Sequence, residues 1–177
     1  MELWDIYNEK KEKTGRTMKR NDWNMKPDEF HLTVLGVLQR PDGKFLITKR
    51  RMDKEWAAGW WEVPGGGVRA GEESKEAAMR EVKEETGLTL TSYQFRGLIT
   101  FISDVCEPEL MCLFTADGFT GSLTACNEGE LKWVDKSIVP SLPTWTGDAI
   151  FLKLLLEDEQ RFFTLRLVYE GDELVEH

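Results

Sequence analysis

The sequence predicts an α/β fold, a mixed sheet held between helices, from three observations. Short apolar runs that read as strands recur along the chain between turn residues. From Ser74 to Thr86 there is no Gly or Pro, Ala and Glu abound, and Gly87 follows as the left-handed residue that commonly ends a helix. From Trp145 to Asp158, Ile150 and Leu154, with Phe151 and Leu155, fall at helical spacing. Strands interleaved with two helices imply a sheet covered by helical layers.

Taken in order, Leu3-Trp4-Asp5-Ile6-Tyr7 alternates like a strand, and the polar run Asn8 to Lys13 followed by Thr14-Gly15-Arg16-Thr17 makes it a hairpin. Asn21 to Pro27 is a connecting loop, so residues 1–27 form an N-terminal extension and residues 28–177 the main domain. Phe30 to Leu38 is a second strand, Arg40-Pro41-Asp42-Gly43 a turn, and Lys44 to Arg50 the returning arm of a hairpin. Pro64-Gly65-Gly66-Gly67 is a loop whose glycines let backbone approach a ligand closely. Beyond the first helix, Gln94 to Ile102, Glu109 to Thr115, Gly129 to Val134 and Phe162 to Tyr169 are strands. Trp56, Trp60 and Trp61 read as packing residues, with nucleobase stacking as the rival role.

At 177 residues the chain suits one core with extensions, and its 41% hydrophobic content is somewhat below typical globular usage. A net charge of -9 argues against non-specific binding to a nucleic acid polymer, which needs clustered Lys and Arg. Cys106, Cys112 and Cys126 are odd in number and lack C-x-x-C spacing, which predicts buried free thiols in a reducing compartment. No leader opens the sequence and no apolar stretch is long enough to span a bilayer, so the expected location is cytoplasmic, without membrane partners. A homodimer is compatible with this composition.

The chemistry concentrates between Gly66 and Leu88. Glu81, Glu84 and Glu85 stand at i, i+3 and i+4, so their carboxylates crowd one helix face, where like charges destabilise an isolated helix by tenths of a kcal/mol per pair. A cation offsets that repulsion. Three carboxylates without a neighbouring Cys or His make an all-oxygen site suited to Mg2+, with Mn2+ as a substitute, rather than to zinc. Arg80, always charged, can grip a carboxylate through two parallel hydrogen bonds.

Gly66, five residues, Glu72, seven residues, then Arg80-Glu81, Glu84-Glu85 and Gly87-Leu88 reproduce the Nudix box at every defined position, so the chain resembles a Nudix hydrolase from about Asp28 to Asp158. The resemblance implies a Nudix α/β/α sandwich and metal-dependent hydrolysis of a diphosphate linkage in a nucleoside triphosphate or nucleoside diphosphate-X. It implies that Glu81, Glu84 and Glu85 bind the metal, with Glu81 or Glu84 doubling as general base and the Gly65 carbonyl completing the coordination. Glu72 and Arg80 hold loop and helix in register on the same ground. Glu128 resembles an acid that joins the site from outside the box in some members, with Glu130 as the alternative. Gly66, Arg50, Arg51 and Arg69 are the candidate diphosphate contacts, the arginines otherwise forming an exposed cluster that balances nearby acids.

The extension more weakly resembles members related to isopentenyl diphosphate isomerase, through Trp4-Asp5, Thr14-Gly15 and Glu29-Phe30-His31. Those enzymes use a cysteine just after the tryptophan preceding the box and several histidines. Here Trp61-Glu62-Val63-Pro64 holds no cysteine, and His31 and His177 are the only histidines, so isomerase is the lesser alternative. His31 reads as an ordinary hydrogen-bonded residue or a relic ligand. A nucleotide-sensing module without turnover would call for a damaged box or a fused DNA-binding domain, and neither is present in the sequence.

Overall fold

The computed structural model describes residues 1–157 and 160–177. Its strands are β1 (Leu3–Tyr7), β2 (Lys13–Lys19), β3 (Phe30–Leu38), β4 (Lys44–Arg50), β5 (Trp61–Glu62), β6 (Gly65–Gly67), β7 (Thr89–Ser103), β8 (Glu109–Thr120), β9 (Gly129–Asp135), β10 (Phe163–Glu170) and β11 (Glu173–Glu176). The helices are α1 (Ser74–Thr86) and α2 (Thr146–Glu157), with a 3-10 turn at Val139–Ser141. The large sheet runs β11-β10-β7-β8-β3-β1-β2, with β6 also paired to β3, and β5-β4-β9 form a smaller second sheet. The β3–β8 and β7–β10 pairs are parallel, which makes the large sheet mixed as expected.

Period-two alternation explains how two helices share this sheet. Val34 and Leu38 of β3 and Cys112, Phe114 and Ala116 of β8 pack in clusters with Ala77, Ala78 and Val82 of α1. Leu35 and Val37 of β3 and Met111 and Leu113 of β8 point the other way, into the cluster holding Phe151, Leu152 and Leu155 of α2. With both faces covered, β3 is buried along nearly its whole length, as central strands of a layered fold are. The result is the α/β/α sandwich.

Several elements differ from the sequence reading. The glycine run is not a free loop: β6 pairs antiparallel with β3, Gly66 opposite Val34, because residues without side chains can lie flat on an occupied strand. β3 and β4 share a turn, with the Gly43 N–H donating to the Arg40 carbonyl at 3.0 Å, but only Gln39 and Phe45 bridge before β4 swings into the second sheet. β7 and β8 form one ladder extending from Thr89 opposite Thr120 to Phe101 opposite Glu109, well beyond the expected ends. β11 was not anticipated, since Leu174 and Val175 alone make a short apolar signal. Helix α2 begins one residue after Trp145, and Asp158 lies outside the described residues.

Helix α1 starts at a capping box, where the Glu73 N–H donates to Glu76 Oε2 at 3.1 Å, and ends on Gly87 at φ 82°. These caps fix the register that aims its carboxylates. Phe151 is fully buried between α2 and the sheet. Phe151→Ala should lower unfolding free energy by about 3–5 kcal/mol in urea denaturation, while an unchanged midpoint would contradict the assigned core.

Candidate active site

The strap formed by β6 brings Gly66 directly over Glu81: a Cβ on Gly66 would come within 2.5 Å of the Glu81 carboxyl carbon. Any side chain there would displace the Glu81 carboxylate. The neighbouring Gly65 N–H donates to Glu85 Oε2 at 3.2 Å, so strand and helix are joined by contacts to two of the three carboxylates.

Arg80 is the hub of the box. Its Nε and Nη2 donate to the two oxygens of Glu72, both at 2.8 Å, a bidentate pair. Its Nη1 donates to Glu81 Oε1 at 2.6 Å and lies 3.5 Å from Glu84 Oε2, while Nη2 also donates to the Gly67 carbonyl at 3.0 Å. The guanidinium beside it holds Glu72 below the usual carboxylate range, and the hydrogen bonds to Glu72 in turn raise Arg80.

Burial, with the charges of Glu81, Glu62 and Glu128 adding to it and the Gly65 amide opposing, pushes Glu85 up to about 8. Burial is the main cause, and the neighbouring carboxylates add to it. Among the described residues, no three His, Cys, Asp or Glu side chains converge tightly enough to grip a metal ion. Each box carboxylate leans instead on its own partner: Glu81 on Arg80, Glu84 toward Arg80 and Arg69, Glu85 on the Gly65 amide. The donor set nevertheless fits a hard divalent cation, because Glu81, Glu84 and Glu85 are oxygen donors lining one cleft with the Gly65–Gly67 backbone.

That cleft has a volume of about 840 Å³. Arg50 and Glu128 line it; Arg50 donates to both oxygens of Glu62 at 3.2 Å, and Glu128 pairs with Lys54 at 2.9 Å. Arg51 does not reach it: it pairs bidentately with Asp53 at 2.7 and 2.9 Å on the exposed turn. Arg69 stays on the outer rim, 3.7 Å from Glu84 and 3.9 Å from Glu2. Glu130 points away and pairs with Lys132 at 3.3 Å, which separates it from Glu128.

The cleft is also lined by residues the sequence did not single out. Phe101, Met111, Trp145 and Leu167, which belong to the apolar cluster around α2, border it together with Glu109 and Asp148. Burial pushes each of these acids up to about 7, with the negative charges of Glu62 and Glu109 adding for Asp148 and that of Glu107 for Glu109, against a 2.9 Å hydrogen bond from Thr33 Oγ1 to Glu109. Glu109 was legible only as a charge at the start of a strand, and Asp148 only as an acid in a first helical turn. Trp56 stacks on Trp145 at 4.7 Å with its ring half in solvent, so it forms the cleft wall rather than core, whereas Trp61 packs as expected.

His31 is not the hydrogen-bonded residue expected. It is buried with Nδ1 unpartnered, stacked on Trp4 at 4.0 Å, with Nε2 3.7 Å from Glu109 Oε1; burial, with the nearby charge of Arg20, lowers it to about 4. All the cysteines are free, but only Cys112 is buried; Cys106 and Cys126 are half-buried at the cleft edge.

The NUDIX domain model matches residues 29–155. The chain is 33% identical over 128 residues to the uncharacterized Nudix hydrolase YvcI of Bacillus subtilis, covering 70% of this chain and 77% of that protein. It is 32% identical over 148 residues to the oxidized purine nucleoside triphosphate hydrolase of Danio rerio, covering 82% of this chain and 91% of the relative. The crystal structure of a MutT protein from Bacillus halodurans superimposes with a TM-score of 0.74 at 27% identity, covering 82% of this chain and 94% of that one. The chain therefore belongs to the Nudix family and is a Nudix hydrolase, a pyrophosphohydrolase acting on phosphoric anhydrides.

The two cleft acids give a pH signature. Asp148 keeps its proton in the folded state up to about 7, whereas in the unfolded chain it ionises near 3.8. Its contribution to stability is thus full below about 4 and lost as pH rises to about 7. Glu109 acts in the same direction, and His31, lowered to about 4, acts in the opposite one below its ordinary value of 6.5. Chemical denaturation of Asp148→Asn between pH 4 and 8 should show a stability gain over the parent that grows with pH and levels off near 7; a pH-independent difference would contradict the shift.

Proposed function

We propose that the protein hydrolyses nucleoside triphosphates to the monophosphate and pyrophosphate, with a divalent cation bound by Glu81, Glu84 and Glu85. The observation that carries the proposal is that one cleft is lined both by the box carboxylates and β6 and by Trp145, Phe101 and the acids Glu109 and Asp148. A diphosphate and a flat heterocycle are the two chemistries those two groups of residues recognise. The relative from Danio rerio, named for oxidized purine nucleoside triphosphates, supports a purine as the preferred base.

In this reading the cation, held also by the Gly65 carbonyl with Glu128 at the edge, supplies neutralisation of charge on the phosphate oxygens. Glu81 and Glu84 are the candidate bases for the attacking water. Arg80 keeps Glu81 oriented and Glu72 keeps Arg80 in place. Arg50, already pinned to Glu62 at the wall, presents positive charge toward the phosphates. Trp145 and Phe101 flank the base, and Asp148 and Glu109, protonated near neutrality, offer it hydrogen bonds. The three free thiols suit a reducing compartment, and we place the enzyme in the cytoplasm.

Hydrolysis of purine and pyrimidine nucleoside triphosphates in oxygen-18 water, followed by mass spectrometry, tests this reading. Monophosphate and pyrophosphate should appear, with label on one of them and purines turned over faster. Label on a sugar hydroxyl or base, or turnover confined to nucleoside diphosphate sugars, would contradict it.

A further inference from the structure

The loop between β6 and α1 carries Glu72 to Arg80, and its backbone amides are accounted for one by one. The Val68 N–H goes to the Leu32 carbonyl at 2.9 Å; Arg69 and Glu72 bond within the loop, to Glu72 Oε2 and the Arg69 carbonyl, each at 3.0 Å. The Glu73 N–H turns into α1, to Glu76 Oε2 at 3.1 Å, and the last two amides reach β1. Ala70 N–H donates to the Leu3 carbonyl at 2.7 Å and Gly71 N–H to Asp5 Oδ2 at 2.9 Å, both on β1. Asp5 is itself anchored by Lys13 of β2 at 2.8 Å.

Trp4, between these two, closes the clamp. Its indole lies against Gly67, where a Cβ would approach Nε1 to 2.7 Å, stacks on the ring of His31, and donates from Nε1 to Glu2 Oε1 at 2.9 Å. Gly67 is the residue whose carbonyl accepts from Arg80. The ladder joining the hairpin to the sheet is short, Ile6 opposite His31 and Tyr7 opposite Phe30, so much of the hairpin's attachment is made through the box loop. All of β1 and β2 lies before residue 29, where the family match begins, so the clamp joins the box to a segment outside that match.

We infer that Asp5, with Trp4, is a positioning residue for the box: by fixing Gly71 and Gly67 it sets the loop that holds Glu72, and through the Glu72–Arg80 pair it sets the orientation of Glu81. This inference rests on the metal site proposed above. Groups that orient metal ligands from behind commonly change affinity by tenfold or more, although they touch neither ion nor substrate. Asp5 approaches the carboxylates only through the chain of contacts just given.

The test uses the full chain with Mn2+ alone, its affinity read by electron paramagnetic resonance, and backbone amide exchange over residues 69–72 read by mass spectrometry. Asp5→Ala should weaken Mn2+ binding about tenfold and speed exchange in the loop. Asp5→Asn, whose amide oxygen still accepts from Gly71, should restore both to near the parent value, a rescue that general loss of stability would not produce. Lys13→Ala keeps the acceptor and should stay close to the parent. A folded Asp5→Ala protein with parental Mn2+ affinity and parental exchange overturns the inference. Should Asp5→Ala not fold, Trp4→Phe replaces it: weaker Mn2+ binding supports the clamp and unchanged binding overturns it. If the parent binds no Mn2+, the metal site fails on its own, and exchange decides: faster exchange in Asp5→Ala with rescue in Asp5→Asn supports the clamp, and unchanged exchange overturns it.

Discussion

Arg80 meets Glu72, Glu81, Glu84 and the Gly67 carbonyl with one guanidinium, and the order of the box depends on that meeting. Without it, carboxylates at three positions of one short helix would repel one another. Glu85 meets the Gly65 amide, and burial, with the charges of Glu81, Glu62 and Glu128 adding to it, pushes it up to about 8. The site is thus tied in geometry around clustered oxygen donors, a setting suited to a divalent cation.

The sheet makes this possible by giving β3 three neighbours. β8 lies along one side, and β1 and β6 share the other, so the hairpin and the glycine strap meet at one strand. Alternation then separates the layers: α1 sits against Val34 and Leu38, α2 against Leu35 and Val37. The cleft opens where β6, β3 and the start of α2 face one another, which is why residues distant in sequence line it together.

What was legible in the sequence was local. Glu72, Arg80, Glu81, Glu84 and Glu85 lie within one loop and helix, and helical spacing alone places the last three on one face. Most strands announced themselves by apolar runs bounded by turns. The triple glycine did not, because its pairing with β3 comes from the space an absent side chain leaves and not from its own propensity. Glu109 and Asp148 stayed hidden for a related reason: β8 reaches β3 through parallel pairing over a long separation, and α2 arrives from the far end of the chain. Arg51 does not accompany Arg50 to the cleft because β4 ends at Arg50 and Arg51, in the turn that follows, pairs with Asp53. The bond from Asp5 to Gly71 spans 66 residues and carries no signature in either segment.

The central claim is that the box carboxylates act through a bound cation on a diphosphate. Turnover of a purine nucleoside triphosphate, followed by phosphorus NMR in excess chelator and then with Mg2+ restored, tests it most directly. The account predicts no hydrolysis with chelator and recovery on adding Mg2+, with Glu84→Gln folded but slower by orders of magnitude. Full turnover in excess chelator, or a Glu84→Gln protein as fast as the parent, would contradict it.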